Sequence, residues 1–226
     1  QFDFLVNEEN PCDYDSEIQA LGGRIFRIPR YKLFNYSIYK TACKKFFSQH
    51  NYPIVHGHIG LPASIYLNEA SKTGAYTIAH SHAQNYPISP NEILFRLCAR
   101  PVRHVADYYL ACSKEAGMDR FGVEIVEGPS FQILKNGVDT SVVGFDNKKR
   151  AEARAELGLS EDSLVLGHVG RLTEVKNHRF LFKVFSSIHR RVPRSVLLLA
   201  GRGELESQLR ETAKQMGLSD SIVFLG

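Results

Sequence analysis

Short runs of β-branched and aromatic residues alternate along this chain with longer stretches in which apolar residues recur every three or four positions. This alternation predicts strands joined by helices, because side chains repeat every two residues on a strand and about every 3.6 on a helix. The predicted strands are FDFLV from Phe2, RIFRI from Arg24, PIVHG from Pro53, AYTIAH from Ala75, DYYLACS from Asp107, FQILKNG from Phe131, SLVLGHVG from Ser163, SVLLLAG from Ser195 and SIVFLG from Ser221. The predicted fold class is therefore α/β.

Two of these strands, SLVLGHVG and SVLLLAG, are almost continuously apolar, which is typical of parallel sheets covered by helices on both faces. The polar, turn-rich stretch KNGVDTSVVGFDNKKR then interrupts the repetition before a new series begins. We predict two Rossmann-like parallel-sheet domains, residues 1–140 and residues 141–226. Ligands of such sheets bind at the carboxyl ends of the strands, so we expect the active site in the cleft between the domains.

Both domains are expected to be incomplete. The chain has no initiator Met, begins almost inside a strand and stops at Gly226 directly after another strand. We expect the first domain to lack its first βα unit and the second to be truncated, so that the fragment alone is inactive.

The cysteines and the apolar runs indicate a cytoplasmic protein. Cys12, Cys43, Cys98 and Cys112 show no Cys-x-x-Cys spacing and lie within apolar runs, as buried free thiols in a reducing compartment do. No apolar run approaches the roughly 20 residues that a membrane span needs, and the chain does not open with a signal pattern.

Basic residues are concentrated in one segment. The whole chain has a net charge of +4, yet between Glu17 and Glu69 it carries seven Lys or Arg residues and no acid. From Arg30 to Phe47, aromatic side chains alternate with lysines, as in an amphipathic helix that lies on anionic lipid. A basic helix whose aromatics face the core explains the segment equally. Contact with an anionic inner membrane surface is therefore one of two interpretations of this segment. We expect no nucleic acid as a partner.

Two His-x-His pairs, His56 with His58 and His80 with His82, raise the question of a metal site. Residues two apart share a strand face, so the pairs converge if their strands are neighbours. The sequence lacks a further set of ligands in a metallohydrolase pattern, and we predict that no metal is bound. We expect His56 and His58 to pack and hydrogen-bond in the sheet, whereas His82 ends a strand and opens a loop, where side chains face a site.

The Asp-x-Asp sequence of Asp13 and Asp15 superficially matches a metal-binding pair. Asp15 precedes the helical run SEIQALG, where a carboxylate satisfies free backbone amides and the helix dipole. We therefore predict a capping role.

The segment HVGRLTEVKNHRFLFKVF predicts an anion site. A strand ends at Gly170, a short loop carries Arg171 and Lys176, and Asn177 can cap the next helix. Glycine permits close approach, and a guanidinium, an ammonium and helix amides then favour a phosphate. The sequence is not a P-loop. Further on, Gly201 and Gly203 in LLLAGRGELE are expected to let a nucleotide lie against a strand end.

In these segments the chain resembles the retaining GT-B glycosyltransferases of family 4, especially the bacterial enzymes of capsular and exopolysaccharide assembly. The resemblance covers essentially the whole chain and depends on YDSEIQALGGRIFRIP, AHSHAQN, YLACSKEAG, ILKNGVD and GRLTEVKN occurring in this order. It implies a GT-B fold and transfer of a sugar, with retention, from a nucleotide-sugar to a saccharide or lipid-linked acceptor. UDP-sugar is the expected donor, with GDP-sugar as the alternative.

The resemblance also implies roles for single residues. His82 would lie by the transferred sugar, whereas Gly170, Arg171 and Lys176 would bind the donor diphosphate without a divalent metal or other cofactor. The family's Gly-rich first loop and its Glu-x(7)-Glu segment are not found in this sequence, which leaves the donor open. Two other classes of function are a metal-dependent hydrolase that uses the His-x-His pairs and a non-catalytic nucleotide-binding or sugar-binding module.

Overall fold

The computed structural model describes residues 2–58, 60–82 and 97–226 of the chain. These residues form two compact units, 1–138 and 139–226, and the sequence had placed the boundary at residue 140. None of the described helices is both long enough and apolar enough to cross a bilayer.

The first unit alternates strands with helices. Its strands are β1 (Asp3–Val6), β2 (Arg24–Arg27), β3 (Ile54–His58), β4 (Tyr76–Ser81), β5 (Tyr108–Ala111) and β6 (Phe131–Ile133). Its described α-helices are α1 (Asp15–Ala20), α2 (Tyr36–Gln49), α3 (Ala63–Ser71), α4 (Lys114–Phe121) and α5 (Val123–Val126), and short 3-10 helices cover Leu33–Asn35 and Arg100–His104. Every described strand pairing is parallel, in a two-stranded sheet β1-β2 and a four-stranded sheet β3-β4-β5-β6.

The second unit repeats this pattern. It contains α6 (Thr140–Val143), α7 (Asn147–Glu156), β7 (Val165–Val169), a 3-10 helix Glu174–Lys176, α8 (His178–His189), β8 (Val196–Ala200), α9 (Glu206–Gln215) and β9 (Ile222–Phe224). The strands form a parallel sheet in the order β7-β8-β9. The α/β fold with parallel sheets that the sequence predicts is therefore confirmed.

Apolar side chains from helices and strands form a core within each unit. In the second unit, Phe182 and Phe185 of α8 pack with Leu197 and Leu199 of the central strand β8. The expectation that β7 is covered on both faces is wrong for the described residues: Gly167 and Val169, two residues apart on one face, are both exposed, Val169 to 85%. In the first unit, Leu67 of α3 and Ala79 of β4 belong to one cluster, and α2 contributes to another.

Ser113 caps α4, since its hydroxyl accepts a hydrogen bond from the Ala116 amide at 3.1 Å. The cysteines are free, but the expectation that all are buried is wrong: Cys43 is buried, whereas Cys12 is exposed. Cys12 lies in the connection before α1, where no core is available to cover it.

Candidate active site

Four histidines line the carboxyl ends of two neighbouring strands in the first unit. His56 and His58 share a face of β3 because they are two residues apart. In the parallel register of β3 with β4, His58 lies opposite His80, which places His80 on that same face. His82 follows directly after β4, two residues beyond His80, and contacts it with ring centroids 4.0 Å apart. We call His56, His58, His80 and His82 the histidine cluster.

The rings of the histidine cluster contact one another through their nitrogens. Nε2 of His56 lies 3.2 Å from Nδ1 of His80, and Nδ1 of His58 lies 2.7 Å from Nε2 of His82. His80 is 4% exposed, whereas the other three are exposed. The prediction that His56 and His58 pack and hydrogen-bond in the sheet is confirmed. Their rings stack on each other with centroids 4.4 Å apart, and they contact His80 of the neighbouring strand and His82 just after it. Both side chains nevertheless stay accessible to solvent.

His82 is held from both sides. Its Nδ1 lies 3.1 Å from Oδ1 of Asn136, and its Nε2 contacts His58. Because an amide oxygen only accepts hydrogen bonds, this network assigns the proton of His82 to Nδ1, so that Nε2 accepts a hydrogen bond from Nδ1 of His58. The ring of His82 is thereby fixed in orientation and tautomer.

Asn136 is a partner of His82 that sequence reasoning missed, whereas the contact with His58 follows from the predicted convergence of the two histidine pairs. Asn136 follows β6 closely, just as His82 follows β4. The carboxyl ends of parallel strands meet at one edge of a sheet, so the contact of Asn136 with His82 could have been predicted from the strand assignment. Residues 83–96, including the predicted loop after His82, lie outside the described residues.

Crowding and burial favour the neutral imidazole in this cluster. Burial is the main cause that lowers the pKa of His80 to about 4, and the neighbouring histidines act in the same direction. The pKa values of His56 and His58 are also lowered, first by burial and then by nearby histidines. At neutral pH these rings therefore present lone pairs rather than positive charge.

A second candidate site lies on the loop after β7. We call Gly170 to Lys176 the cation loop, because it carries the exposed side chains of Arg171 and Lys176. Within the described parts of the chain, neither side chain makes an ion pair or hydrogen bond. A Cβ atom at Gly170 would lie 3.3 Å from Cε of Lys176, so the lysine stem passes close over the glycine. The structure therefore brings Gly170 and Lys176 together and leaves both charges accessible.

The end of the cation loop leads into α8. Lys176 closes the 3-10 helix Glu174–Lys176, and Asn177 is the N-cap residue of α8, as predicted. Asn177 adopts a left-handed conformation with φ of 48°, and its side chain makes no capping hydrogen bond. Lys176 thus lies immediately before the amino end of a helix, where the helix dipole favours an anion.

Gly201 and Gly203 lie against the cation loop. A Cβ atom at Gly201 would lie 2.3 Å from the carbonyl oxygen of Gly170, and one at Gly203 would lie 2.3 Å from that of Leu172. Backbone hydrogen bonds join the same loops, from the Gly170 amide to Ala200 at 2.9 Å and from the Leu172 amide to Arg202 at 3.0 Å. The missing side chains therefore make room for the cation loop, and the role of these glycines beside a nucleotide stays a prediction.

Asp15 lies in the first turn of α1, but the prediction that it caps the helix amides is wrong. The N-cap residue is Tyr14, and among the described residues no side chain makes a capping hydrogen bond there. The Asp15 carboxylate instead accepts a hydrogen bond from the Cys12 amide, which lies before the helix, at 2.9 Å. The same carboxylate pairs with Arg27 of β2.

Comparison with known proteins shows what these two units resemble. Residues 149–226 match the family model for glycosyl transferases group 1. The chain is 31% identical over 231 residues to the predicted glycosyltransferase EpsF of Bacillus subtilis (strain 168), an alignment that covers 100% of this chain and 60% of EpsF. It superposes on the crystal structure of Anabaena HepE in complex with UDP-glucose with a TM-score of 0.77 at 14% identity, covering 100% of this chain and 68% of HepE. The chain is similar to glycosyltransferases in sequence and has the GT-B fold.

A further similar protein is named for its reaction. It is the GDP-mannose-dependent α-(1-6)-phosphatidylinositol monomannoside mannosyltransferase of Mycolicibacterium smegmatis, 24% identical over 215 residues that cover 94% of this chain and 55% of the relative. The chain thus spans 60% of EpsF and 55% of the mannosyltransferase. Within this GT-B chain, the cation loop falls inside the matched group 1 region, and the histidine cluster belongs to the other unit.

Proposed function

We propose that this chain is part of a glycosyltransferase that moves a sugar from a nucleotide-sugar donor to a saccharide or lipid-linked acceptor in cell-surface polysaccharide biosynthesis. The observation that carries the proposal is the cation loop, whose Arg171 and Lys176 are exposed and unpaired among the described residues. Breaking a glycosyl-phosphate bond builds negative charge on the leaving diphosphate. Fixed cations stabilise that charge more in the transition state than in the ground state, which is the requirement for catalysis.

The proposal assigns a role to each site residue. Arg171 and Lys176 neutralise the leaving diphosphate, and Gly170 allows its close approach. His82 acts at the transferred sugar, where its partners Asn136 and His58 hold the ring in one orientation. The acceptor hydroxyl attacks on the face that the nucleotide leaves, with retention of configuration, and a donor phosphate oxygen accepts its proton. Because two cations already offset the leaving charge, the transfer needs no divalent metal ion.

A UDP-sugar is our first choice of donor. The HepE structure that shares this fold contains UDP-glucose, whereas the mannosyltransferase is named for GDP-mannose. A GDP-sugar is therefore the alternative that the experiment must separate.

We further propose that the protein is cytoplasmic and binds the inner membrane face through the segment from Arg30 to Phe47. The side chains of Phe34, Tyr36 and Ile38 are exposed there, although aromatics normally turn inward. Lys44 and Lys45 are exposed on the same helix. Exposed aromatics beside lysines fit an anionic lipid surface, where a lipid-linked acceptor resides.

The test is a thermal-shift panel of UDP, GDP, ADP and their sugars on the full-length protein, followed by a transfer assay with the best donor. We expect a uridine nucleotide to stabilise the protein most, and His82→Ala to impair transfer while leaving the melting temperature unchanged. Equal turnover by wild type and His82→Ala would reject the role of His82. Absence of stabilisation by any nucleotide would reject the donor site.

A further inference from the structure

In contrast to the prediction from the sequence, we propose that His56, His58 and His80 form a binding site for a divalent transition-metal ion of the zinc type, and that the bound ion inhibits sugar transfer. The transfer proposed above needs no metal, so the ion has no catalytic role in it. The binding half of this inference depends only on the histidine cluster. The inhibition half rests on the proposed function.

The three imidazoles already lie near the spacing that a metal ion requires. Each offers one ring nitrogen, and these three nitrogens all lie within 4.8 Å of one another. Metal–nitrogen bonds of about 2.0–2.1 Å in a tetrahedral site place ligand nitrogens about 3.3 Å apart. Small ring rotations of the exposed His56 and His58 side chains therefore complete the site around the buried His80.

The sheet holds these ligands in place. His56 and His58 are two residues apart on β3, and the parallel register sets His58 opposite His80 on β4. Ligands on paired strands keep their spacing through the backbone hydrogen bonds of the sheet, which lowers the entropy lost on binding an ion.

An unpartnered buried nitrogen is a second, independent observation. Nε2 of His80 is buried and makes no hydrogen bond to any described residue. A buried polar atom without a partner destabilises the fold. The cluster therefore contains a ring nitrogen that no hydrogen bond of the described fold uses and that can act as a metal ligand.

The donor set selects the kind of ion. Three imidazole nitrogens suit Zn²⁺, Co²⁺, Ni²⁺ and Cu²⁺, whereas Mg²⁺ and Ca²⁺ prefer oxygen ligands. Three protein ligands leave a fourth position for water, in a site that faces solvent through His56 and His58.

The position of the ion predicts its effect. Nδ1 of His58 lies 2.7 Å from Nε2 of His82, so an ion held by His58 lies beside His82. It adds two positive charges where the proposed function places the transferred sugar, and it competes for the imidazole that orients His82. Inhibition should therefore follow binding.

The binding test uses the full-length protein after dialysis against EDTA. We expect Co²⁺ to give the intense visible absorption of a tetrahedral site at one equivalent, Zn²⁺ to displace it, and Mg²⁺ to leave it unchanged. His56→Gln should weaken Co²⁺ affinity at least about 100-fold, since even residues that only support metal ligands are worth 10–100-fold. His56 is exposed, so this variant should fold, which circular dichroism checks.

The matched control is His104→Gln, which removes an exposed histidine of the same unit outside the cluster. It should bind Co²⁺ like the wild type. Failure to bind Co²⁺ in the wild type, or equal binding by a folded His56→Gln variant, would overturn the proposed site.

The inhibition test compares transfer with and without Zn²⁺. Zn²⁺ should inhibit the wild type and the His104→Gln variant, EDTA should reverse this, and His56→Gln should resist it. Stoichiometric binding without inhibition would overturn the inhibitory role and keep the site. A protein that binds Co²⁺ but transfers no sugar even in EDTA would count against the proposed function and leave the site standing.

Discussion

Arg171 and Lys176 are the residues whose removal tests the diphosphate site most directly. In the full-length protein, Arg171→Ala and Lys176→Ala should each lower the transfer rate by roughly 10²- to 10³-fold, the effect of losing one preorganised charge donor. Steady-state kinetics with the identified donor measures this. Lys183→Ala, which removes an exposed lysine of α8, is the control and should retain wild-type rates. Near wild-type kinetics in both loop variants would reject the assignment.

Gly203 tests the packing of the two loops against each other. In Gly203→Ala the new methyl group would meet the backbone of Leu172 at 2.3 Å, and backbone cannot rotate away as a side chain does. We expect a loss of about 1–3 kcal/mol in the free energy of unfolding, measured by urea denaturation. Gly167→Ala in β7 is the matched control, because nothing lies within 4 Å of its Cβ position. Equal stability of the two variants would contradict the close approach.

Helix α2 shows how one element can satisfy two interpretations of its sequence. Tyr39, Cys43, Phe46 and Phe47 form its buried face, at the spacing of successive helical turns. Phe34, just before the helix, is fully exposed, and Tyr36 and Ile38 are exposed too. The aromatics are therefore divided between the core and the solvent, a division that alternating letters in the sequence do not reveal.

The exposed side of α2 predicts binding to anionic vesicles. Lys44→Glu with Lys45→Glu should reduce partitioning onto phosphatidylserine vesicles at least about 30-fold, since each basic residue near such a surface contributes about 1 kcal/mol. Co-sedimentation at low and high salt measures this, and salt should weaken the wild-type interaction. Lys149→Glu with Arg150→Glu makes the same change of charge on exposed α7 and should have little effect. Equal partitioning onto anionic and uncharged vesicles would instead favour a solvated helix that does not recognise anionic lipid.

The sequence predicts where the strands lie more accurately than it predicts where they end. Each predicted strand is present because the two-residue period is local information. The prediction for β6 ran from Phe131 to Gly137, but the strand ends at Ile133. Only β5 pairs with β6, over three residues, and the polar residues beyond have no partner strand.

The sequence predicts the composition of the sites better than their geometry. The cation loop is a local feature, so Gly170, Arg171 and Lys176 could be identified from a strand end and a short loop. The histidine cluster depends on the pairing of β3 with β4 in a register that sets His58 opposite His80. This pairing joins residues 22 positions apart in the numbering, and no local pattern contains it.

At the scale of the whole molecule, each unit has its own core. Phe185→Ala in the second unit should cost about 3–5 kcal/mol, and Leu67→Ala in the first about 2–5 kcal/mol, because both side chains are fully buried. Differential scanning calorimetry should show two transitions, each lowered by one of the variants.

The same experiment locates the nucleotide. The preferred nucleoside diphosphate should raise the transition that Phe185→Ala lowers, since ligands stabilise the unit that binds them. The transition lowered by Leu67→Ala should not respond. A single transition lowered equally by both variants would contradict independent unfolding of the units.

The close contact of Gly201 and Gly203 with the cation loop has a consequence for affinity. A mobile loop must lose conformational entropy when it closes around a ligand, at about 1–2 kcal/mol for each residue that becomes ordered. Here the backbone hydrogen bonds of Gly170 and Leu172 to the neighbouring loop already restrict the segment that carries Arg171. That entropy is lost when the chain folds, so a diphosphate meets a guanidinium on a backbone that is already ordered.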